Sequence, residues 1–254
     1  MIRTRTDDRV WVVTLDRPAR RNALRPEDLV ALRRAVTDAA TPVTYLHGAD
    51  DAFCAGADLD AVASLDASDD LDVSDGVSDD DTSDEDDATT ASSFARLGQR
   101  TAAAIADADT VVVCGIDGAA RGGGVELALA ADVRVATPAA TFAEPGVEFG
   151  LFGAWGGTVR LPRVMREGDA LDFALSGRVL DADAALRTGL VSRVVDDPRA
   201  VADAIAAGKV DALSAIKRRV RDRRDDATQE AAEAEAFAAL VRSHGDEIAA
   251  ARGE

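Results

Sequence analysis

Three consecutive glycines followed closely by a glutamate form the part of this sequence best suited to chemistry. Gly122, Gly123 and Gly124 separate a predicted strand from a predicted helix. A ligand atom can approach a glycine backbone closely because there is no Cβ, and amides at a helix N-terminus carry partial positive charge. We therefore predict that the Gly123 amide stabilises a developing oxyanion, while Glu126 moves a proton beside it.

A second turn of small residues offers another backbone donor. Residues 53–59 read Phe-Cys-Ala-Gly-Ala-Asp-Leu and follow a predicted strand. The amide of Ala57, just after Gly56, is the best candidate to complete an oxyanion hole with Gly123. Two such donors stabilise negative charge on one carbonyl oxygen, so the pair favours chemistry through an enolate-like state.

These turns and further blocks, in order along almost the whole chain, resemble the crotonase superfamily, the enoyl-CoA hydratase/isomerase family. The blocks are residues 15–24, 118–136, 151–158, 185–195 and 235–250. The resemblance implies an α/β fold, a crotonase-like spiral of ββα units followed by a helical C-terminal region. It implies a core over residues 1–195, a helical region over 196–254, and assembly as homotrimers or hexamers.

The resemblance also implies an acyl-CoA thioester as the substrate. Coenzyme A enters as part of that substrate, so no separate cofactor is expected. The residues expected to contact the CoA moiety or the acyl group are Arg21, Ala23, Leu24, Ala55, Asp58, Leu59, Gly122, Pro145 and Gly146.

Of the two catalytic glutamates of the family, this sequence has only the first at its expected position. Glu126 aligns with the first, but Gly146 occupies the position of the second. Glu144 and Glu148 flank that position by two residues on each side, and residues two apart face the same way in an extended chain. We predict that Glu148 supplies the second carboxylate, with Glu144 as the weaker candidate.

Several reactions remain open. Hydration of 2-enoyl-CoA is the leading prediction, and double-bond isomerisation of enoyl-CoA is its main rival. Hydrolysis or decarboxylation of another acyl-CoA comes third, followed by a weakly catalytic CoA-binding homologue. The glycines lack the G-x-G-x-x-G spacing of dinucleotide sites, and no G-x-S-x-G nucleophile motif occurs.

Composition limits the partners. The chain has 254 residues and a net charge of −18, from 47 acidic and 29 basic residues. This acidity predicts a halophilic protein and argues against nucleic-acid binding, which needs a basic surface. The sequence contains no apolar run that approaches the roughly 18 residues of a membrane helix. We therefore expect a cytoplasmic protein without a membrane partner. Two cysteines and two distant histidines give no metal-ligand spacing, so no metal is expected.

Residues 66–93 interrupt the order of strands and helices. They contain twelve acidic and no basic residues, a composition typical of a mobile, solvated segment. We interpret this segment as an acidic insertion. An alternative interpretation is a lid that restricts the length of the acyl chain.

Overall fold

Two β-sheets occupy the centre of the fold in the computed structural model, which describes residues 1–65 and 90–250. The strands are β1 (Ile2–Asp7), β2 (Val10–Leu15), β3 (Val43–Gly48), β4 (Ala52–Cys54), β5 (Val111–Ile116), β6 (Ala119–Arg121), β7 (Val133–Ala136), β8 (Thr141–Ala143), β9 (Leu180–Asp181) and β10 (Arg193–Val194). The helices are α1 (Pro26–Thr37), α2 (Leu59–Ala63), α3 (Ala91–Asp107), α4 (Gly123–Ala130), α5 (Gly157–Val164), α6 (Glu167–Ser176), α7 (Ala182–Thr188), α8 (Pro198–Ala206), α9 (Val210–Arg221) and α10 (Asp226–Ala250). Short 3-10 helices span Pro18–Arg20 and Pro145–Phe149.

The strand order confirms the predicted spiral of ββα units. Within the described residues, the larger sheet has the order β1-β2-β3-β5-β7-β10, and the smaller has the order β4-β6-β8-β9. Successive units place their first strand in the larger sheet and their second in the smaller: β3 with β4, β5 with β6, and β7 with β8. Helical segments follow each pair. Neighbouring strands from successive units pair in parallel in both sheets.

Burial explains why these segments adopt their structures. All six residues of β5 are buried, as expected for a parallel strand covered on both faces. In α3, the buried residues Phe94, Leu97, Thr101 and Ile105 recur at helical spacing. That face contributes to the main hydrophobic core, where Phe94, Leu97 and Ile105 join residues from α1 and α4.

The structure describes only residues 90–93 of the predicted acidic insertion. Its residues 66–89 lie outside the described part of the chain. The hydroxyl of Thr90 accepts a hydrogen bond from the Ser93 amide at 3.1 Å and caps α3. The last residues of the predicted insertion, 91–93, therefore form the first turn of α3, while the insertion as a whole stays a prediction.

The C-terminal region is helical, as predicted, and comprises α8, α9 and α10. An ion-pair cluster anchors α9, because Asp132 accepts from Lys217 at 2.9 Å and from Arg221 at 2.8 Å. In contrast, α10 buries no residue against its own chain. None of the helices in residues 1–65 and 90–250 combines the length and the apolar character that a membrane span requires. The division into domains at residue 195 stays a prediction.

Candidate active site

The carboxyl ends of three neighbouring strands in the smaller sheet meet at one cavity. β4, β6 and β8 are parallel, so the turns that follow them lie along one edge of the sheet. These turns enclose a cavity of about 300 Å³. Its wall is largely apolar and includes Leu59, Val62, Leu65, Phe94, Phe149, Leu151, Phe152 and Trp155.

Glycines allow the first two turns to pack against each other. Gly122 has φ 47° and ψ −120°, a conformation essentially restricted to glycine. Gly56 has φ +85°, and a Cβ there would lie 2.6 Å from the Arg121 carbonyl oxygen and 2.9 Å from the Gly123 nitrogen. A Cβ on Gly123 would lie 2.2 Å from the Trp155 ring. Side chains at these positions would therefore push the turns apart.

The two predicted backbone donors line this cavity. The Leu24 amide donates to the Gly56 carbonyl oxygen, and the Leu24 carbonyl oxygen accepts from the Asp58 amide. The Ala57 amide, which lies between Gly56 and Asp58, takes part in neither hydrogen bond. Gly123 begins α4, so its amide has no acceptor within the helix. Among the hydrogen bonds of the described residues, none uses either amide. Two unpaired donors beside one cavity can stabilise an oxygen atom that gains negative charge.

Glu126 lies in the first turn of α4 with 1% of its surface exposed. Its Oε1 accepts hydrogen bonds from the Trp155 amide at 2.8 Å and the Gly157 amide at 2.6 Å. Burial raises the pKa of Glu126 to about 7, although these two hydrogen bonds and Arg160 act in the opposite direction. Both protonation states are therefore accessible near neutral pH, as general acid–base catalysis requires.

The backbone around this carboxyl group leaves no room for side chains. A Cβ added to Gly153 or Gly157 would come within 2.8 Å of the Glu126 carboxyl group. These glycines explain why the sequence block at 151–158 is rich in small residues, since it wraps around a buried acid. Trp155 also packs its ring edge-on against Phe94, with centroids 5.7 Å apart.

Glu144 follows β8 directly and is a second buried acid in the wall of the cavity. Its side chain is 6% exposed, and its Oε1 is buried without a hydrogen-bond partner in the described part of the chain. Burial, and then the charge of Glu126, raises the pKa of Glu144 to about 8. Glu144 is therefore mainly protonated at neutral pH.

The structure contradicts the placement expected for Glu148. Its side chain is exposed, does not line the cavity, and lies near Gly177. The prediction assumed an extended chain, in which Glu144 and Glu148 would share a direction. Instead, Pro145 begins a 3-10 helix, so residues two apart no longer face the same side. The structure therefore places Glu144, and not Glu148, at the cavity, while the catalytic role of either residue stays a prediction.

Gly146 lines the cavity at the position where the resemblance places a glutamate. A Cβ on Gly146 would lie 3.0 Å from the Leu151 carbonyl oxygen and 3.2 Å from Cα of Phe152. The adjacent loop therefore fits closely against the bare glycine backbone.

The other predicted contact residues do not all lie at this cavity. Ala55, Leu59, Gly122 and Pro145 line it. Ala23 and Leu24 are buried, and Leu24 pairs with the Gly56 turn. Asp58 forms an ion pair with Arg17 at 2.5 Å and caps α2. Arg21 lines a separate cavity of about 570 Å³ with residues including Pro18, Asp50 and Ala52. In the described residues, no group of three or more His, Cys, Asp or Glu side chains is arranged to hold a metal.

Known proteins resemble this chain in sequence and in fold. The model of the enoyl-CoA hydratase/isomerase family matches residues 10–251. A protein named probable enoyl-CoA hydratase from Mycobacterium tuberculosis is 34% identical over 193 residues, which cover 74% of this chain. A crotonyl-CoA hydratase from Syntrophomonas wolfei is 32% identical over 194 residues, again 74% of this chain. Each match covers 66% of the relative's own length.

The solved structures agree with the sequence matches. The crystal structure of an enoyl-CoA hydratase from Thermoplasma volcanium superposes with a TM-score of 0.82 at 28% identity, and the match covers 98% of this chain and 95% of that one. The strand order and the match across residues 10–251 support the same assignment. The chain therefore belongs to the enoyl-CoA hydratase/isomerase family.

Proposed function

We propose that the protein hydrates 2-enoyl-CoA thioesters. One observation carries this proposal: a buried glutamate with a pKa near 7 lies beside two unpaired backbone amides in an apolar cavity. The relatives named as enoyl-CoA hydratases support it. In this proposal, the amides of Ala57 and Gly123 form an oxyanion hole for the thioester oxygen. One such donor contributes about 2.7–4 kcal/mol to transition-state stabilisation in comparable sites.

Glu126 acts as the general base in this reaction. Its Oε1 is held by the amides of Trp155 and Gly157, so the carboxylate keeps a fixed position. When ionised, it takes a proton from the water that adds to C3 of the enoyl group. A carboxylate in an apolar cavity is well suited to this step because its proton affinity is raised toward that required at neutral pH.

The cavity favours an aliphatic acyl group. The side chains of Leu59, Phe94, Phe149 and Phe152 provide an apolar wall, and burial of apolar surface stabilises the complex by roughly 25 cal/mol per Å². We place the CoA moiety along residues 21–24 and 55–59, as the resemblance implies. CoA enters with the substrate, and we propose no separate cofactor.

Double-bond isomerisation is the second candidate. Gly146 favours it, because this residue carries no carboxylate at the family's second position and isomerisation can proceed with one. Mass spectrometry of crotonyl-CoA and a 3-enoyl-CoA, each incubated with the protein in molar KCl, distinguishes the two. A gain of one water on crotonyl-CoA supports hydration. Conversion of the 3-enoyl to the 2-enoyl isomer without water gain overturns hydration in favour of isomerisation.

We also propose that the protein is an oligomer, a trimer or hexamer, in the cytoplasm. Exposed apolar side chains on α10 support assembly. The described cysteines, Cys54 and Cys114, are buried thiols without a disulfide, as is usual for a reducing compartment. The high acidic content supports the further proposal of adaptation to concentrated salt.

A further inference from the structure

Glu144 is a buried acid whose presence in the wall of the cavity has no structural explanation. We infer that Glu144 is the second catalytic carboxyl group of this site and donates the proton that C2 of the substrate receives. This inference rests on the proposed function, and it places the second acid two residues before the position that Gly146 occupies.

The lack of a partner is the first argument. Burying a polar group without a hydrogen bond is unfavourable, and proteins rarely retain such groups for stability. Glu144 Oε1 is buried and has no partner among the described residues. A side chain that served only the fold would be satisfied or replaced by an apolar one. An unpaired acid in a substrate cavity is instead available to the substrate.

Position relative to Glu126 is the second argument. Glu144 lies at the end of β8 and Glu126 lies just after β6, and both line the cavity. Glu144 also lines a small adjoining pocket with Gly153 and Gly157. The Gly157 amide donates to Glu126 Oε1 at 2.6 Å, and a Cβ added to Gly153 would lie 2.8 Å from the Glu126 carboxyl carbon. The two acids therefore border the same space, where the two carbons of a substrate double bond would lie.

The surroundings of Glu126 and Glu144 suit one to act as the base and the other as the acid. Two amides donate to Glu126 and favour its ionised form, so Glu126 is suited to be the base. Within residues 1–65 and 90–250, no amide donates such a hydrogen bond to Glu144, and the nearby charge of Glu126 opposes its ionisation. Glu144 is therefore suited to hold a proton and donate it.

The proton and electron transfers balance with water as the co-reactant. Glu126 takes a proton from water as the water oxygen bonds to C3, and the π electrons move through C2 to the thioester oxygen. The enolate then returns these electrons to C2, which bonds to the proton from Glu144. The carbon–carbon π bond, one O–H bond of water and the O–H bond of Glu144 break, and one C–O bond, one C–H bond and the O–H bond of Glu126 form. A proton passing from Glu126 to Glu144 through solvent restores the starting state.

The test uses isosteric variants and two readouts. Hydration of crotonyl-CoA measures the whole reaction, whereas deuterium uptake at C2 of butyryl-CoA in D₂O measures only proton transfer at C2. We expect Glu144→Gln to reduce both by about 10²–10⁴-fold with little change in KM. Glu126→Gln should reduce hydration by a similar factor but leave C2 exchange largely intact. Glu167→Gln, at an exposed position in α6, is the control and should retain both activities.

Other results would overturn the inference. Hydration and exchange by Glu144→Gln within threefold of the wild type would do so, as would loss of activity in Glu148→Gln but not in Glu144→Gln. If the wild type exchanges C2 protons but does not hydrate, and Glu144→Gln abolishes exchange, the proposed function fails while the inference stands. A wild type with neither activity overturns both.

A second variant covers the case in which Glu144→Gln fails to fold. Glu144→Asp keeps the acid, and we then expect it to retain part of the C2 exchange activity. Full retention or complete loss of exchange in the folded Glu144→Asp protein overturns the inference.

Discussion

The charge of Glu126 raises the pKa of Glu144 across the cavity that both side chains line. Burial acts in the same direction on both groups, but only Glu126 receives amide hydrogen bonds that partly offset it. The result is two carboxyl groups with pKa values of about 7 and about 8. We propose that Glu126, whose ionised form the two amides favour, is the base and that Glu144 is the acid.

The pH dependence of hydration should be bell-shaped. We expect kcat/KM for crotonyl-CoA to rise with pH through about 7, because Glu126 must be ionised to accept a proton. It should fall as pH increases through about 8, because Glu144 must be protonated to donate one. Initial rates measured between pH 5.5 and 9.5 at constant ionic strength check this. A profile without a decline at high pH would remove Glu144 from the proton transfer.

The same groups should make stability depend on pH. Their folded-state pKa values lie above the ordinary value of 4.5, so the stability they contribute is fully present below that pH and is lost as pH rises through 7 and 8. Glu144→Gln removes one titration. We expect its free energy of unfolding at pH 8.5 to exceed that of the wild type by several kcal/mol, because each unit of pKa shift corresponds to about 1.4 kcal/mol. Urea titrations at pH 5 and pH 8.5 measure this, and an equal difference at both pH values would contradict it.

The Gly123 position should not tolerate a methyl group. In Gly123→Ala the new Cβ would overlap the Trp155 ring, 2.2 Å away, and would shift the backbone donor. We expect destabilisation of about 1–3 kcal/mol and a loss of kcat of roughly 10²–10³-fold. Gly168→Ala is the matched control, because a Cβ there meets no atom within 4 Å. It should preserve activity, and thermal unfolding with steady-state kinetics compares the two.

Salt should stabilise the protein. With a net charge of −18, self-repulsion is strong in dilute buffer and is largely screened when the Debye length shrinks to about 3 Å at 1 M salt. We expect Tm to increase between 0.05 M and 2 M KCl. Calorimetry provides the measurement, with sucrose as an uncharged comparison. An unchanged Tm over this range would rule out the proposed adaptation to salt.

Helix α10 should take part in subunit assembly. Phe237, Val241 and Ile248 are exposed, and their spacing places them on one side of the helix. Phe237→Asp should reduce the mass of the assembly in light scattering, whereas Glu235→Gln, an exposed change facing away from Phe237, should not. The proposal of a trimer or hexamer would be wrong if the wild type has the mass of one 26.4 kDa chain.

Local patterns predicted the fold and part of the site. The glycines at 122–124 require a turn before a helix, and the apolar segment of β5 requires a buried strand, so both were readable from residue types. The expected placement of Glu148 at the cavity was wrong because side-chain direction after β8 depends on the 3-10 helix that Pro145 begins. The close approach of Leu151 and Phe152 to Gly146 is a contact between separate segments. No spacing rule within one segment could have indicated it.

The ordering of strands in the smaller sheet also bears on how this site can change over time. Each of three successive repeats ends in its own turn at the cavity: one provides Ala57, the next Gly123 with Glu126, and the third Glu144. Each turn is attached to a different strand, so a change at a residue that does not pack against a neighbouring turn, as Gly56 does, leaves the backbone of the other turns in place. Under the proposed function, the third turn can carry its acid at a different position while the amides proposed to bind the carbonyl oxygen stay fixed. A family built this way can acquire new reactions through replacements confined to a few residues, without rebuilding its scaffold.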